Sequence, residues 1–207
     1  GVAEFPVFSH DGSKIIYKVF NSTAYKAKLV LIDSDGNHPE TIASSDYNLI
    51  KYGLFSIDDR IIYYYSIDKS IFGYNIPKKE TEEVISDVFF DDGILINEFP
   101  TFQLSVKSLY YYAHDKKEAC SPNFIYEYNF LEEKSNRIVS GRQPMSITQN
   151  YLLFREDHCY FSDEPTDLKL VRKDNLNEVT TIFKGNYGVI SKDETHVLFL
   201  YNEKKNY

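Results

Sequence analysis

A pattern of apolar and polar residues recurs five times along this chain. Each copy has an apolar residue, a serine, a short polar turn and then an apolar run, and the anchoring serines are Ser9, Ser56, Ser105, Ser146 and Ser191. These serines are 47, 49, 41 and 45 residues apart. Runs rich in aromatic and β-branched residues on both sides of a polar turn predict antiparallel hairpins. The pattern therefore indicates a chain of repeated β-hairpins.

A second hairpin is predicted after each of the first four copies. An apolar run, a polar turn and a short strand follow there, and the runs are KLVLID at 28–33, IFGYNI at 71–76, NFIYEYN at 123–129 and LKLVRK at 168–173. The Asp-Gly pairs at 11–12 and 35–36 suit the positive φ angles of tight hairpin turns. Each full copy is thus predicted to hold four strands, called A to D in chain order.

A repeated four-stranded unit of about 40 to 50 residues is typical of a β-propeller. The runs RIIYYYS at 60–66 and SLYYYAH at 108–114 are apolar at successive positions, as expected for strands buried on both faces between neighbouring blades. We predict an all-β propeller of four-stranded antiparallel blades. The predicted blades are about 1–48, 49–93, 94–141 and 142–185, with an incomplete fifth at 186–207.

Three stretches carry a family resemblance: FSHDGSKIIY, LVLIDSDGNHPETIA and SKDETHVLFLY. They resemble the TolB-like, PD40-type repeats of WD40-like propellers, although His10 and Lys192 stand where that family has proline. The resemblance covers nearly the whole chain, and its motif specifies turns rather than chemistry. It implies a propeller like those of periplasmic TolB, of the gating domains of prolyl-oligopeptidase-type serine peptidases and of interaction scaffolds.

The fifth copy extends only to about strand B, near Tyr201, so the pattern contains four units and about half of another. An open propeller would expose apolar blade faces and strand edges, which favours association. We therefore predict that the chain is part of a larger propeller, or that another chain covers its open blade edges, a homo-oligomer included. The first residue is Gly rather than Met, which indicates a processed or shortened form.

Charge and composition exclude several partners. Lys and Arg number 23 against 31 Asp and Glu, and this net charge of −8 argues against nucleic acid or an anionic membrane as a partner. No apolar run approaches the length of a membrane span. No export signal is visible, while the TolB-like resemblance favours a periplasmic or extracellular location over a cytoplasmic one.

Two cysteines lie in equivalent B–C loops of adjacent predicted blades, Cys120 fifteen residues after its serine and Cys159 thirteen after its own. A disulfide between them is conceivable and requires Cα atoms within about 7 Å. His114 and His158 lie in the same loops, so a zinc site is a weaker possibility. The spacing departs from the paired ligands of structural zinc sites. We therefore predict no metal and no cofactor, and leave the disulfide open.

Loop residues provide the candidates for recognition. Asn21 begins the triplet Asn-Ser-Thr, a glycosylation sequon if the chain is secreted in a eukaryote. Tyr25, Tyr47 and Tyr160 fall in predicted loops and are candidate partner contacts. Tyrosines inside predicted strands are expected to pack in the core with their hydroxyls bonded. They include Tyr63, Tyr64, Tyr110 and Tyr111.

Catalytic motifs are missing from the sequence. There is no Gly-x-Ser-x-Gly elbow, phosphate loop or zincin motif, and the DSDGN stretch from Asp33 reaches Ser44 where a calcium loop needs glutamate. We predict a non-catalytic interaction module that binds a protein partner through its loop faces. The alternatives are the gating propeller of a prolyl-oligopeptidase-type peptidase, whose hydrolase domain would lie elsewhere, and a ligand- or sugar-binding propeller.

Overall fold

The computed structural model describes residues 1–46, 50–66, 70–86, 88, 102–114, 123–156, 167–185 and 187–200, without the side chains of residues 51, 52, 114 and 200. Within these ranges the regular elements are 18 β-strands. No helix in this part of the chain has the length and apolar character needed to cross a membrane.

The strands form five antiparallel sheets in chain order. Sheet 1 contains β1 (Val2–Phe8), β2 (Lys14–Asn21), β3 (Lys26–Asp33) and β4 (Glu40–Asp46). Sheet 2 contains β5 (Ile50–Phe55), β6 (Ile61–Ser66), β7 (Ser70–Asn75) and β8 (Glu80–Ile85). Sheet 3 contains β9 (Phe102–Leu104), β10 (Ser108–His114), β11 (Asn123–Asn129) and β12 (Lys134–Ser140). Sheet 4 contains β13 (Arg142–Ile147), β14 (Tyr151–Arg155), β15 (Asp167–Arg172) and β16 (Asn175–Lys184), and sheet 5 contains β17 (Tyr187–Ile190) and β18 (Val197–Leu200).

Each of the first four sheets pairs its strands in simple sequential order, so strands A to D are neighbours and hairpins join them. This confirms the prediction of four four-stranded units followed by a two-stranded fifth. The second strands of sheets 2 and 3 are buried at successive positions along Ile62–Ser66 and Leu109–Ala113. Both faces of these strands are therefore covered, as their unbroken apolar pattern predicts.

The polar turn between strands A and B has the same hydrogen bonds in all five sheets. In sheet 1 the Ser9 N–H donates to the Lys14 carbonyl over 2.9 Å, and the Lys14 N–H donates to Ser9 Oγ over 2.9 Å. Ser56, Ser105 and Ser191 make the equivalent pairs of bonds. The predicted positive φ is found at Gly12, at 72°. The recurring serine therefore closes the hairpin by side-chain and backbone bonds together.

The fourth copy corrects one assignment. Thr148, and not Ser146, closes the turn of sheet 4, with bonds of 3.0 and 3.1 Å to the backbone of Tyr151. Ser146 lies inside β13, where its Oγ accepts the N–H of Ile190 in sheet 5 over 3.0 Å. Aligning every copy on serine was wrong there, because a threonine hydroxyl makes the same bonds. When Thr148 is taken as the anchoring residue of the fourth copy, it lies 43 residues after Ser105 and 43 residues before Ser191.

The chain divides into two compact units, Gly1–Val88 with sheets 1 and 2, and Phe89–Tyr207 with sheets 3 to 5. In the first unit Ile16 and Leu29 of sheet 1 pack against Phe55, Ile62 and Tyr64 of sheet 2. In the second unit the core residues Met145, Leu153 and Leu168 of sheet 4 pack against Ile190 of sheet 5, and β13 also contacts the first three strands of sheet 3. Each unit is thus a stack of sheets that pack through apolar cores.

Candidate binding surfaces at the two ends of the sheets

Each sheet has two ends with different chemistry. The BC end is where strand A begins and where strands B and C are connected, and the AB end carries the turn that Ser9 or its equivalent closes. In sheet 1 the BC end includes Asn21 and Tyr25. The Asn21 side-chain oxygen accepts the backbone N–H groups of Thr23 and Ala24, each over 3.1 Å, and so shapes a tight turn. Asn21 is exposed there, while its glycosylation stays a prediction.

Tyr25 is the candidate contact residue that the structure describes. Its side chain is 63% exposed, and its backbone has a φ of 51°. A tyrosine in this left-handed region is uncommon, because its Cβ is crowded there. The turn that Asn21 begins therefore holds Tyr25 in a fixed backbone conformation with its ring directed to solvent.

An ion pair with a buried lysine lies at the same end of sheet 1. Lys18 of β2 is 1% exposed, and its Nζ is 3.0 Å from Glu4 Oε2 of β1. The ammonium also lies 5.7 Å from the centre of the Phe5 ring and 5.9 Å from that of Phe20. A buried lysine needs such a counter-charge, since an unpaired ammonium would lose its hydration without compensation.

The ion pair was missed in the sequence, although the pattern carries a signal for it. Lys18 interrupts the apolar stretch IIYKVF and shares a strand face with the core residue Ile16, two positions away. A charged residue on the core face of a strand predicts a buried partner. Nothing in the linear sequence says which of the surrounding acids is that partner.

Sheet 4 places another cation at the equivalent position. Arg155 comes four residues after Tyr151, as Lys18 comes four after Lys14, and its Nη1 donates to Gln143 Oε1 over 3.0 Å. Burial lowers the pKa of the Arg155 guanidinium, and the positive charge of nearby Arg142 lowers it further. The BC ends of sheets 1 and 4 therefore both contain a partly or wholly buried cation on strand B.

The AB ends of sheets 1 and 4 are each joined to the following sheet by a carboxylate. Asp59 of sheet 2 accepts the backbone N–H of His10 over 2.9 Å and that of Asp11 over 3.0 Å. His10 Nδ1 is also 2.8 Å from the same carboxylate. Partial burial raises the pKa of Asp59, but these hydrogen bonds lower it more, so that it lies below its ordinary value of 3.8.

Glu194 of sheet 5 makes the matching contact with sheet 4. Its two oxygens accept the backbone N–H of Asn150 over 2.9 Å and the Asn150 side-chain amide over 2.7 Å. Hydrogen bonds from Thr148 and from Asn150 lower the pKa of Glu194. Asp59 and Glu194 both stand three residues after the anchoring serine and both have positive φ, 56° and 61°. We call this contact the inter-sheet clasp.

The strand tyrosines Tyr110 and Tyr111 form hydrogen bonds within sheet 3. The Tyr110 hydroxyl donates to Glu127 Oε1 over 2.6 Å, and the Tyr111 hydroxyl donates to Ser135 Oγ over 2.9 Å. Burial raises the pKa of Tyr110, and the bond to the Glu127 carboxylate raises it further. Both rings are buried, and both hydroxyls serve the packing of sheet 3.

Other predicted site residues lie outside the part that the structure describes. Cys120, His158, Cys159, Tyr47 and Tyr160 are among them, as is the side chain of His114. The disulfide therefore stays an open possibility, and the absence of a zinc site stays a prediction. Among the described residues, no group of three or more His, Cys, Asp or Glu side chains is arranged to hold a metal ion.

No protein-family model matches the chain, and no curated protein matches it either. Solved structures do match. TolB from Acinetobacter baumannii superposes with a TM-score of 0.68 at 19% identity, over 94% of this chain and 48% of that one. The β-propeller domain of the Trilobed protease from Pyrococcus furiosus superposes with a TM-score of 0.63 at 16% identity, over 91% of this chain and 62% of that one.

Oligogalacturonate lyase from Vibrio parahaemolyticus is also similar, with a TM-score of 0.60 at 11% identity, over 86% of this chain and 51% of that one. The chain thus spans about half the length of the TolB and lyase chains. At these identities the likeness establishes the fold alone. The predicted β-propeller fold is confirmed, and the four-stranded sheets are its blades. Because a protease domain and a lyase share this fold with TolB, the fold does not decide whether the chain is catalytic.

Proposed function

We propose that this chain, a TolB-like β-propeller, is a non-catalytic module that binds a protein partner, and that the BC end of sheet 1 is its contact surface. The observation that carries the proposal is a group of exposed apolar side chains there: Val2, Phe5 and Tyr25. The Lys18 ammonium, which is paired with Glu4, lies 5.7 Å from the centre of the Phe5 ring. Aromatic side chains are enriched at protein interfaces and often anchor them.

Rigidity supports the assignment. Phe5 has a φ of 53° within a bulge of β1, where the pairing register with β2 shifts between Glu4 and Val7. The Lys18 ammonium lies over its ring, and Tyr25 is held in the tight turn already described. An ordered aromatic residue loses little conformational entropy on binding, so such residues give affinity at low cost.

A crosslinking experiment tests the surface. A photoreactive phenylalanine analogue replaces Tyr25 in one variant and Leu131 in a control, and both are irradiated in cells that express the protein. Leu131 is an apolar side chain in a turn of sheet 3 and is 93% exposed, so it is even more accessible than Tyr25 but lies away from the proposed surface. We expect one dominant protein adduct from position 25 that is absent from position 131, and that is lost when Val2→Ser is added.

Equal labelling at both positions would contradict the proposed surface, since it would reflect exposure alone. Loss of the adduct on Val2→Ser has to occur without a change in melting temperature, because otherwise the variant reports on folding. Turnover of a substrate by the purified chain would overturn the non-catalytic part of the proposal.

The alternative function is a gating propeller of a prolyl-oligopeptidase-type peptidase, and the likeness to the propeller domain of the Trilobed protease favours it. The two functions differ in what the parent gene encodes. A hydrolase domain with a Gly-x-Ser-x-Gly elbow in the same reading frame supports the gate. A ligand- or sugar-binding propeller is a third possibility, and direct binding of a sugar to the purified chain would support it. A periplasmic or extracellular location is proposed with the interaction module and is testable by cell fractionation.

A further inference from the structure

We propose that sheet 5 is the docking site for a β-hairpin of a partner protein that carries an Asp or Glu in its turn. The site consists of the apolar side chains of Val189 and Leu198 and the backbone N–H groups of Lys192 and Asp193, and we call it the sheet 5 dock. It lies in the second unit and does not include the surface at Tyr25, so the inference goes beyond the proposed function.

The AB turn of sheet 5 has the same internal bonds as the AB turn of sheet 1. Ser191 closes it by the pair of backbone bonds already described for Ser9. Asp193 Oδ1 accepts the Ser191 hydroxyl over 2.5 Å, as Asp11 Oδ1 accepts the Ser9 hydroxyl over 2.7 Å. The two turns therefore correspond residue by residue, with Lys192 first and Asp193 second after the serine.

In sheet 1 these two turn positions bind a carboxylate. They are occupied by His10 and Asp11, whose backbone N–H groups donate to Asp59 of sheet 2 over 2.9 and 3.0 Å. In sheet 5 the corresponding donors belong to Lys192 and Asp193, which are both exposed. Among the residues that the structure describes, no group of another sheet accepts these two N–H groups. The same turn is thus filled in sheet 1 and open in the described part of sheet 5.

The apolar side chains beside the two turns correspond as well. Val7 and Ile16 of sheet 1 are register partners that belong to the core shared with sheet 2, where Ile16 is wholly buried. At the same distances from the serine, sheet 5 has Val189 and Leu198, which are also register partners. Val189 is 39% exposed and Leu198 is 76% exposed. Sheet 5 therefore presents to solvent both components by which sheet 1 binds sheet 2.

Acids inside the turn do not exclude a second carboxylate. Asp11 belongs to the turn that Asp59 binds, and hydrogen bonds within that turn lower the pKa of Asp11 to about 2. A hydrogen bond from the Ser191 hydroxyl lowers the pKa of Asp193 in the same way. Lys192 adds an exposed cation next to the two N–H groups, and charge-assisted bonds to a carboxylate are the stronger kind.

The required carboxylate has to come from a different protein. Asp59 and Glu194 define its position, since each is the third residue after a serine and each has a positive φ. Both are already bound within the chain, Asp59 to sheet 1 and Glu194 to sheet 4. The first sheet of a second copy has Gly12 at this position, so stacking of that sheet on sheet 5 brings no acid. A partner hairpin with an apolar face and an acidic turn supplies both components.

NMR spectra of the ¹⁵N-labelled chain test the sheet 5 dock. The probe is acetyl-Leu-Asp-amide, which carries an apolar side chain and one carboxylate, and its control is acetyl-Leu-Asn-amide. We expect the Asp probe to shift the amide proton signals of Lys192 and Asp193 downfield in a saturable manner, and the Asn probe to leave them unchanged. The signals of His10 and Asp11 are an internal control, because Asp59 already accepts those N–H groups.

Two substitutions at one position separate the N–H group from the side-chain charge. Lys192→Pro removes the donor, and the turn is suited to proline because the TolB-like repeats have proline there. Lys192→Ala removes the ammonium and keeps the donor. With the Asp193 signal as readout, we expect Lys192→Pro to weaken binding of the Asp probe about tenfold and Lys192→Ala to weaken it less than about threefold. Leu198→Ser should also weaken it, because the leucine of the probe loses its apolar contact.

Two results would overturn the proposal. Equal weakening by Lys192→Ala and Lys192→Pro would show that the ammonium alone attracts the probe. Unchanged Lys192 and Asp193 signals in the unmodified chain would show that their N–H groups are occupied or inaccessible. The comparison of the Asp and Asn probes uses the unmodified chain, so it decides the question even where Lys192→Pro does not fold.

A dilution series without probe distinguishes a second copy from a different partner. Contact between copies through Leu198 alone brings no carboxylate, so it should not shift the Lys192 and Asp193 signals downfield. A downfield shift of both signals as the protein is concentrated would show that a second copy fills the turn, which contradicts the assignment to a different protein. Tyr25→Ser should bind the Asp probe normally, so failure of the surface at Tyr25 and failure of this dock are distinguishable.

Discussion

Asp59 and Glu194 each stand at the turn position that Gly12 occupies in sheet 1. In the sequence they look like ordinary surface acids of polar turns. In the structure each reaches the preceding sheet and accepts its exposed backbone N–H groups. The clasp therefore links neighbouring sheets through backbone donors that strand pairing leaves unused.

Replacing Asp59 tests the clasp at the level of one residue. We expect Asp59→Asn to lower the free energy of unfolding by about 1 kcal/mol at neutral pH, because charge-assisted bonds to two backbone N–H groups are weakened. Chemical denaturation measures the change. The control Asp46→Asn should have no measurable effect, because the Asp46–Lys26 pair is exposed and its closest N–O distance is 3.7 Å.

The effect of Asp59→Asn has a defined pH dependence. The pKa of Asp59 in the folded chain lies below its ordinary value of 3.8, so the carboxylate stabilises the fold at pH values above that value. Its contribution is lost as the pH falls through the lower folded pKa, where both states are protonated. The stability gap between Asp59→Asn and the unmodified chain should therefore close in strong acid. A gap that persists there would mean that the charge of Asp59 is not responsible.

Among the elements, the first strands of the sheets form much of the interface with the sheet before them. Gly53 of β5 lies against sheet 1, where an added Cβ would be 2.8 Å from Ile16 Cδ1 and 3.2 Å from Leu29 Cδ2. β5 contacts all four strands of sheet 1. A glycine at this position lets the two sheets approach closely, because any side chain would collide with the core of the first unit.

Gly53→Ala is therefore expected to destabilise the first unit by about 1 to 3 kcal/mol, the usual range for overpacking a core. Gly73→Ala is the matched control, because Gly73 is also in a strand of sheet 2 but its nearest neighbour is the Val84 side chain at 3.1 Å, with the others at 3.4 Å or more. Hydrogen exchange of the β2 and β5 amides locates the effect. Equal destabilisation by both substitutions would show that loss of glycine itself, and not the close approach, is responsible.

At the scale of the whole molecule, the fold prediction was correct because it depended on the number of repeated units in the sequence. Each four-stranded unit carries its own turn residues and its own apolar runs, so the repeat is visible without any knowledge of long-range contacts. One copy was aligned two residues out of register at Ser146, because the closing hydroxyl belongs to Thr148. The error did not alter the architecture, since either residue marks the same hairpin.

Sheet 5 presents an apolar face away from sheet 4. Gly188 and Ile190 face the core of sheet 4, whereas Val189 and its register partner Leu198 alternate to the other side, and Leu198 is 76% exposed. We expect this face to support self-association of the chain. Because a buried leucine contributes about 1.5 to 3 kcal/mol, Leu198→Glu should raise the dissociation constant at least about tenfold.

Sedimentation equilibrium over a range of concentrations measures the association. The control Leu131→Glu removes a leucine that is 93% exposed from a turn of sheet 3 and adds the same charge. Identical weakening by both variants would mean that net charge, and not the apolar face of sheet 5, governs association.

Local sequence determined the strands, the hairpins and the count of four full units and a partial fifth, because β-branched and aromatic runs and Ser-Asp-Gly turns act over a few residues. The tertiary structure alone decided which side chains oppose each other between strands and between sheets. The pairing of Glu4 with Lys18 depends on strand register, and that of Arg142 with Arg155 depends on a bulge. The contact of Asp59 with His10 depends on how two sheets stack. A single bulge changes which residues meet, and pairing energies are small compared with strand formation, so the linear pattern leaves these contacts open.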